Sequence, residues 1–270
     1  MTPQLFGILN ITEDSFSDGG RYLAPAAALS HAKHLIDSGA NVLDIGAASS
    51  NPDAAAVPPD VEIARLAAVV PQLQQQGIAV SIDTFSPPVQ LWALDRGVAY
   101  LNDIQGFADP EIYPALAASS AKLIVMHAVQ ARGKATEIDV PPDEILPRCI
   151  AFFQTRIAAL TGAGIARERL ILDPGMGFFL GTNPATSLAM LAGLPQLKRA
   201  FGLPLFVSVS RKSFLRKLTG RKAQDSGPAT LAAELFAARQ GADHIRTHDP
   251  AAIADALKVW DALDVRHNAG

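Results

Sequence analysis

A single (β/α)₈ barrel spanning residues 1–270, an α/β TIM barrel with its active site at the carboxyl ends of the strands, is the fold the sequence predicts. Three observations predict it. Short apolar runs alternate eight times with longer alanine- and leucine-rich segments, with no break in composition that would mark a linker or second domain. The length of 270 residues suits one such barrel, since these folds commonly need about 250. Polar residues also gather just after the apolar runs, where a barrel carries its chemistry.

In chain order, strands are expected over 5–10, 42–45, 79–83, 100–103, 122–127, 170–173, 205–208 and 244–248. Each is a short run of the kind a strand buried on both faces requires. Helices are expected over about 25–38, 60–76, 87–96, 110–118, 143–162, 185–200, 228–240 and 250–263. Their apolar residues recur at three- and four-residue steps, as in Ile63, Leu66, Ala67 and Val70. Several of these segments run into a glycine suited to a left-handed cap, Gly202 among them. A doubly wound dinucleotide fold is the rival, but GMGFFLG lacks the G-x-G-x-x-G spacing and no phosphate-binding G-x-x-x-x-G-K-[ST] occurs.

A net charge of −3 without long runs of one sign excludes a generally basic nucleic-acid surface. No window approaches the roughly 20 apolar residues of a membrane span. The opening MTPQLFGILN has no basic stretch leading into a long apolar one, so a cytoplasmic protein without a signal peptide is expected. Cys149, the lone cysteine, sits in the apolar segment CIAFF and reads as a buried thiol. His31 and His34 stand three apart on a helix, but with no third ligand in view they read as an exposed face.

The residues that follow the runs are Asn10, then Ser49-Ser50-Asn51, Asp83, Asn102 with Asp103, His127, Asp173, Ser210-Arg211-Lys212, and Arg246 with His248. Any one of them serves equally well as a turn or cap; eight polar exits out of eight point to a shared site. Asp83, Asn102, Asp103 and Asp173 offer acceptors and an amide suited to the donor-rich edge of a heterocycle, because a carboxylate takes two parallel N–H bonds. Arg211, Lys212, Arg246 and His248 form a positive group suited to phosphate. Met126 ends a strand and serves either the pocket or the core.

The ordered segments FGILNITEDSFSDGGRY, SIDTF, YLNDIQGF, VMH, DPGMGF, SRKSF and IRTH resemble those of the dihydropteroate synthases, over about residues 6–250. That resemblance implies a (β/α)₈ barrel that joins 6-hydroxymethyl-7,8-dihydropterin diphosphate to p-aminobenzoate, releasing pyrophosphate. Matched by motif, Asp83, Asn102, Asp173 and Lys212 would hold the pterin, with Met126 beside it. Asn10, Arg246 and His248 would hold the diphosphate, and Mg²⁺ would bridge phosphate oxygens and Asn10. These residues, Met126 apart, form the implied catalytic set. The resemblance also implies a homodimer.

Two loops depart from the family pattern. After the second strand the usual D-I-G-G-E-S-T-R-P-G reads DIGAASSNPD, so the Thr-Arg pair falls on Ser50-Asn51 and a guanidinium is lost. After the sixth strand the usual G-F-G-K reads GFFLG, about two residues longer and without the lysine. Both loops border the p-aminobenzoate site in this family, which Ser49, Ser50, Asn51, Pro52, Phe178, Phe179, Gly181, Ser210, Arg211 and Lys212 would line here. These departures resemble the sulfonamide-insensitive, Sul-type branch. The segments 12–22 and 48–58 are expected to be mobile without ligand. Two other readings compete: a barrel transferring methyl from methyltetrahydrofolate to a corrinoid protein, and a non-catalytic pterin-binding barrel. The first has no use for the Lys212, Arg246 and His248 group, and the second would have shed rim residues.

Overall fold

Eight apolar runs become eight parallel strands in one sheet because each is buried on both faces, leaving the backbone no partner but its neighbours. The computed structural model describes residues 2–12, 25–48, 56–129 and 139–267, with 264–267 by backbone only. The strands are β1 (Gln4–Asn10), β2 (Val42–Gly46), β3 (Ala79–Asp83), β4 (Tyr100–Asp103), β5 (Lys122–Met126), β6 (Leu170–Asp173), β7 (Phe206–Val207) and β8 (His244–Thr247). Their order, β6-β5-β4-β3-β2-β1-β8-β7, is that of a barrel opened between β6 and β7. The ring closes there through a single bridge, Leu172 to Leu205, with the Leu172 N–H donating to the Pro204 carbonyl at 2.9 Å. Proline has no N–H to give, so this seam stays short and β7 spans two residues rather than the expected 205–208.

Alternation along each strand divides the barrel into layers. Phe6, Val42, Tyr100, Ile124, Ile171 and Phe206 interlock as an apolar plug, with Phe6 edge-on to both Tyr100 and Phe206 at 5.0 Å. Two residues further along the same faces stand Asp44 and Asn102, and the register sets Asp44 beside Ser81 and Asp83 beside Asn102. A polar floor therefore sits directly on an apolar plug. Outside the sheet, a larger cluster of aliphatic side chains packs the helices against it.

The helices are α1 (Pro25–Asp37), α2 (Pro59–Ala67), α3 (Val70–Gln75), α4 (Pro87–Asp95), α5 (Tyr113–Ala118), α6 (Pro142–Gly162), α7 (Pro184–Phe201), α8 (Ser213–Thr219), α9 (Gly227–Arg239) and α10 (Pro250–His267). Proline opens most of them, as it does α7, where Asn183 Oδ1 also accepts the Ala185 N–H at 3.0 Å. Gly202, at φ 62°, ends α7 by donating its N–H to the Lys198 carbonyl, as the glycine signal predicted. Two helical expectations fail. The helix expected over 60–76 is two helices, because Pro71 cannot donate an N–H and crowds the carbonyl four residues back. Helix α8, directly after the rim residues 210–212, is absent from the expected helices, although SRKSF also reads as a basic helix start.

Candidate functional site

The strand exits place the predicted groups around one opening. At its floor the Arg246 guanidinium reaches two carboxylates, with Nε 2.5 Å from Asp44 Oδ2 and an Nη 2.6 Å from Asp83 Oδ2. Asn102 Nδ2 donates to the same Asp44 oxygen at 3.2 Å. Asp44 is wholly buried and Asn102 nearly so, yet Asp44 Oδ1, Asn102 Oδ1 and Ser81 Oγ make no hydrogen bond among the described residues. Buried acceptors left in this state cost stability unless a ligand or water meets them. Burial pushes the Asp83 carboxyl up to about 7, with Arg246 pulling it back and the Asp44 charge adding to the rise.

Asp173 lies at the end of β6 and gives Oδ1 to the Gly175 N–H at 2.8 Å. Burial raises it to about 6, opposed by that N–H and by the charge on Lys212. Gly175 is irreplaceable for two reasons: its φ is 72°, and an added Cβ would fall 2.3 Å from the His127 carbonyl oxygen. We expect Gly175→Ala to cost at least about 3 kcal/mol of stability, since a backbone oxygen cannot step aside; the urea midpoint checks it. Lys212, half-buried, holds Nζ 5.0 Å from the Phe179 ring centroid, a cation–π contact. Burial and the adjacent Arg246 lower its ammonium to about 8, against the pull of Asp173 and Asp83.

The loop after β6 forms a single 3₁₀ turn over Gly177–Phe179. Phe179 is buried against Ile104 and Met126, with Phe178 half-buried beside them, and its carbonyl accepts the Val129 N–H at 2.9 Å. Gly181 is buried at the loop's end. Across the opening, Ser210 Oγ lies 2.9 Å from His248 Nδ1 and accepts the His248 backbone N–H at 3.2 Å. Burial, then the charges of Arg211, Arg246 and Lys212, push His248 down to about 3, so its ring is neutral. Asn10 is exposed at the end of β1, its Oδ1 3.4 Å from where a Cβ on Gly46 would stand. A Cβ at position 46 would stand in ordinary contact with Asn10 Oδ1 and, at 3.9 Å, with Asp83 Oδ2, which places Gly46 between the two.

Sequence reasoning placed most of these groups and misjudged several. Asp103 does not line the opening. Its carboxylate is spent on Gln90 Nε2 at 2.9 Å and on the N–H groups of Gln105 and Phe107. His127 likewise fastens one rim loop to another, its Nδ1 3.0 Å from the Pro174 carbonyl, with burial lowering it to about 4. Arg246 sits in the carboxylate floor rather than free at the rim. Asp44 was missed, although its place two residues before Gly46 on the inward face was readable from period two. Ser49, Ser50, Asn51 and Pro52, and most of 12–22 and 48–58, lie outside the described residues. His31 is half-buried and stacked on exposed His34 at 6.2 Å, and no metal-binding group of three or more His, Cys, Asp or Glu occurs among the described residues.

A floor of half-used acceptors under a cationic rim suits a donor-rich ring carrying an anion. The family model of pterin-binding enzymes matches residues 6–248. The chain belongs to the pterin-binding enzyme family. Within it, the dihydropteroate synthases are its relatives. Dihydropteroate synthase type-2 of Escherichia coli is 60% identical over 259 residues, covering 96% of this chain and 95% of that protein. The type-3 enzyme of Escherichia coli is 52% identical over 260 residues, 96% of this chain and 99% of that protein. Among solved structures, Xanthomonas albilineans dihydropteroate synthase with 4-aminobenzoic acid superposes with a TM-score of 0.88 at 37% identity, covering 97% of this chain and 93% of that one. This pterin-binding enzyme is thus a dihydropteroate synthase-type transferase of folate synthesis, and no helix among its described residues is long and apolar enough to cross a membrane.

Proposed function

We propose that the whole chain works as one cytoplasmic pterin-binding barrel domain, paired as a homodimer. The floor and rim divide the dihydropteroate synthase reaction between them. Asp83, Asn102 and Asp173 take the N–H groups of the pterin, with Met126 against the ring and Lys212 beside it. Asn10, Arg246 and His248 take the diphosphate. The observation that carries this reading is the set of buried acceptors beneath the cations: Asp44 Oδ1 and Asn102 Oδ1 accept no hydrogen bond from any described residue. The C–O bond to the diphosphate breaks with its electron pair going to the departing oxygen, leaving a cationic pterin methylene. The p-aminobenzoate nitrogen then forms the new C–N bond and sheds a proton to water; no side-chain base is needed, because the arylamine lone pair is free at neutral pH. Arg246 and His248 stand where negative charge grows on the leaving group.

The residues fit a magnesium ion that arrives with the substrate. Asn10 presents one exposed hard oxygen at the rim, and Mg²⁺ asks for few protein ligands when phosphate and water supply the rest. Bound there, the ion would offset charge on the pyrophosphate.

Recognition by ionised carboxylates carries a pH signature. As pH falls through about 7 and then 6, Asp83 and Asp173 take up protons and each loses acceptor capacity. The KM for pterin diphosphate is therefore expected to rise steadily from pH 8 to pH 5.5 while the KM for p-aminobenzoate moves less; steady-state kinetics across that range checks it.

The p-aminobenzoate face is bounded by Ser210, Arg211, Lys212, Phe178, Phe179 and Gly181; the family resemblance assigns Ser49, Ser50, Asn51 and Pro52, outside the described residues, to the same substrate. Phe179 fills space beside Lys212. It admits a planar carboxylate and opposes the tetrahedral sulfonyl of a sulfonamide with its extra substituent. Deleting Phe179 and Leu180 is expected to lower the sulfonamide inhibition constant at least tenfold, about 1.4 kcal/mol; an active deletion variant that stays insensitive would sink this account. The activity itself is tested by pyrophosphate release from the purified chain given Mg²⁺, the pterin diphosphate and p-aminobenzoate. Stoichiometric pterin binding without release would favour a non-catalytic barrel instead.

A further inference from the structure

Helix α9 buries two polar side chains one turn apart, Thr230 and Glu234, and each is spent on a different rim element. Thr230 Oγ1 accepts the Arg211 backbone N–H at 3.1 Å. Arg211 needs such a hold, being a non-glycine residue at φ 58°, a conformation that persists only where the surroundings impose it. Glu234 lies against the Thr247 side chain, which holds its carboxyl lower than burial alone would, and Thr247 Oγ1 accepts the Asp249 N–H at 3.1 Å. Arg211 directly follows Ser210, and Thr247 directly precedes His248. Since Ser210 and His248 are themselves joined at 2.9 Å, α9 and the exits of β7 and β8 form a closed ring of polar contacts.

Packing does not account for the carboxyl in this ring. Glu234 is 1% exposed, no salt bridge reaches it among the described residues, and its Oε1 makes no hydrogen bond there. A leucine would fill the same space without the cost of a half-satisfied buried carboxyl. We propose that Glu234 and Thr230 are positioning residues, which act through Thr247 and the Arg211 backbone to set His248 and the 210–212 turn for the anion held between them. This rests on the assignment of His248 to the diphosphate.

The test uses the full chain as wild type, Glu234→Leu, Glu234→Gln, Thr230→Val and His248→Ala, with kcat, both KM values and the melting temperature measured for each. Glu234→Leu is expected to melt at or above the wild-type temperature and yet raise the KM for pterin diphosphate about five- to tenfold, since small misplacements of a binding group weaken it on this scale. The KM for p-aminobenzoate should stay within about twofold, while kcat falls several-fold because His248 also meets the charge on the leaving group. Glu234→Gln, which can still bond Thr247, should restore the wild-type KM. Thr230→Val, acting through the Arg211 backbone, should raise the KM for pterin diphosphate likewise and also that for p-aminobenzoate, whose face Arg211 bounds. If His248→Ala raises the pterin diphosphate KM while Glu234→Leu and Thr230→Val do not, the proposal is overturned and the diphosphate assignment stands. If all parameters and the melting temperature fall together with no rescue by Gln, the role is structural and the proposal fails. If His248→Ala leaves that KM unchanged, the assignment itself fails and takes the proposal with it.

Discussion

Asp173→Asn is expected to lower kcat/KM for the pterin diphosphate by about a thousandfold while leaving the protein folded. The carboxylate gives one oxygen to the Gly175 N–H at 2.8 Å, and an asparagine oxygen can keep that bond. Its other oxygen faces the opening, where an amide would place N–H groups against the N–H groups of the pterin. Each hydrogen bond to a charged partner is worth about 1.5–3 kcal/mol. Losing two of them, with donors then opposed, gives roughly 4 kcal/mol, or three decades. Stability should move the other way. Burial holds the folded carboxyl at about 6, above its ordinary value. The stability this group contributes is therefore complete below about pH 4 and is lost as pH rises through 6. The neutral amide escapes that loss, so Asp173→Asn should match the wild-type melting temperature near pH 4.5 and exceed it at pH 8. Steady-state kinetics and melts at the two pH values read both effects. Wild-type kcat/KM in the variant would remove Asp173 from the pterin site.

How far the sequence reached depended on which physical signal each element carried. Strand positions were legible because a strand buried on both faces must be a short apolar run, and all eight were found. Proline and glycine punctuated most helices clearly. Pro71 was the exception, where an apolar period ran straight through a residue that breaks the hydrogen-bond ladder. Helix α8 escaped because, alone among the ten helices described, it has no proline in its opening positions and follows the basic residues that drew attention as rim groups. The site was legible as a set of strand exits and less so as a set of directions. Asp103 and Asn102 are adjacent, so they point to opposite faces of β4. Only Asn102 faces the pocket, while Asp103 builds a turn. Asp44 was invisible to a search of exits because it stands within β2, two residues before the strand ends at Gly46. The pairing of Arg246 with Asp44 spans 202 residues and leaves no local trace in the chain.

That pairing sets the second large effect. Arg246→Met is expected to lower the melting temperature by about 10 °C and abolish detectable turnover. The guanidinium is 14% exposed and neutralises Asp44, whose side chain is 0% exposed, as well as Asp83 at 19%. Removing one partner of a buried pair leaves an uncompensated charge and costs about 3–5 kcal/mol, which at about 2–4 °C per kcal/mol in a chain of this size gives the predicted shift. The Asp44→Asn/Arg246→Met double variant separates the two roles of the arginine. Its neutral amide still has an oxygen for the Asn102 Nδ2 now bound to Asp44, so most of the lost melting temperature should return. Turnover should not return, because no cation then meets the diphosphate. A wild-type melting temperature in Arg246→Met would mean that water, not the ion pair, compensates Asp44. Recovery of turnover in the double variant would strip Arg246 of its part in binding the leaving group. The same geometry couples the two halves of the substrate. Arg246 occupies Asp83 Oδ2, so a pterin ring must share that carboxylate with the arginine, and an anion drawing the guanidinium toward the rim frees the acceptor the ring needs. Inorganic pyrophosphate with Mg²⁺ should accordingly tighten binding of 6-hydroxymethylpterin to the wild type and have no such effect on the double variant.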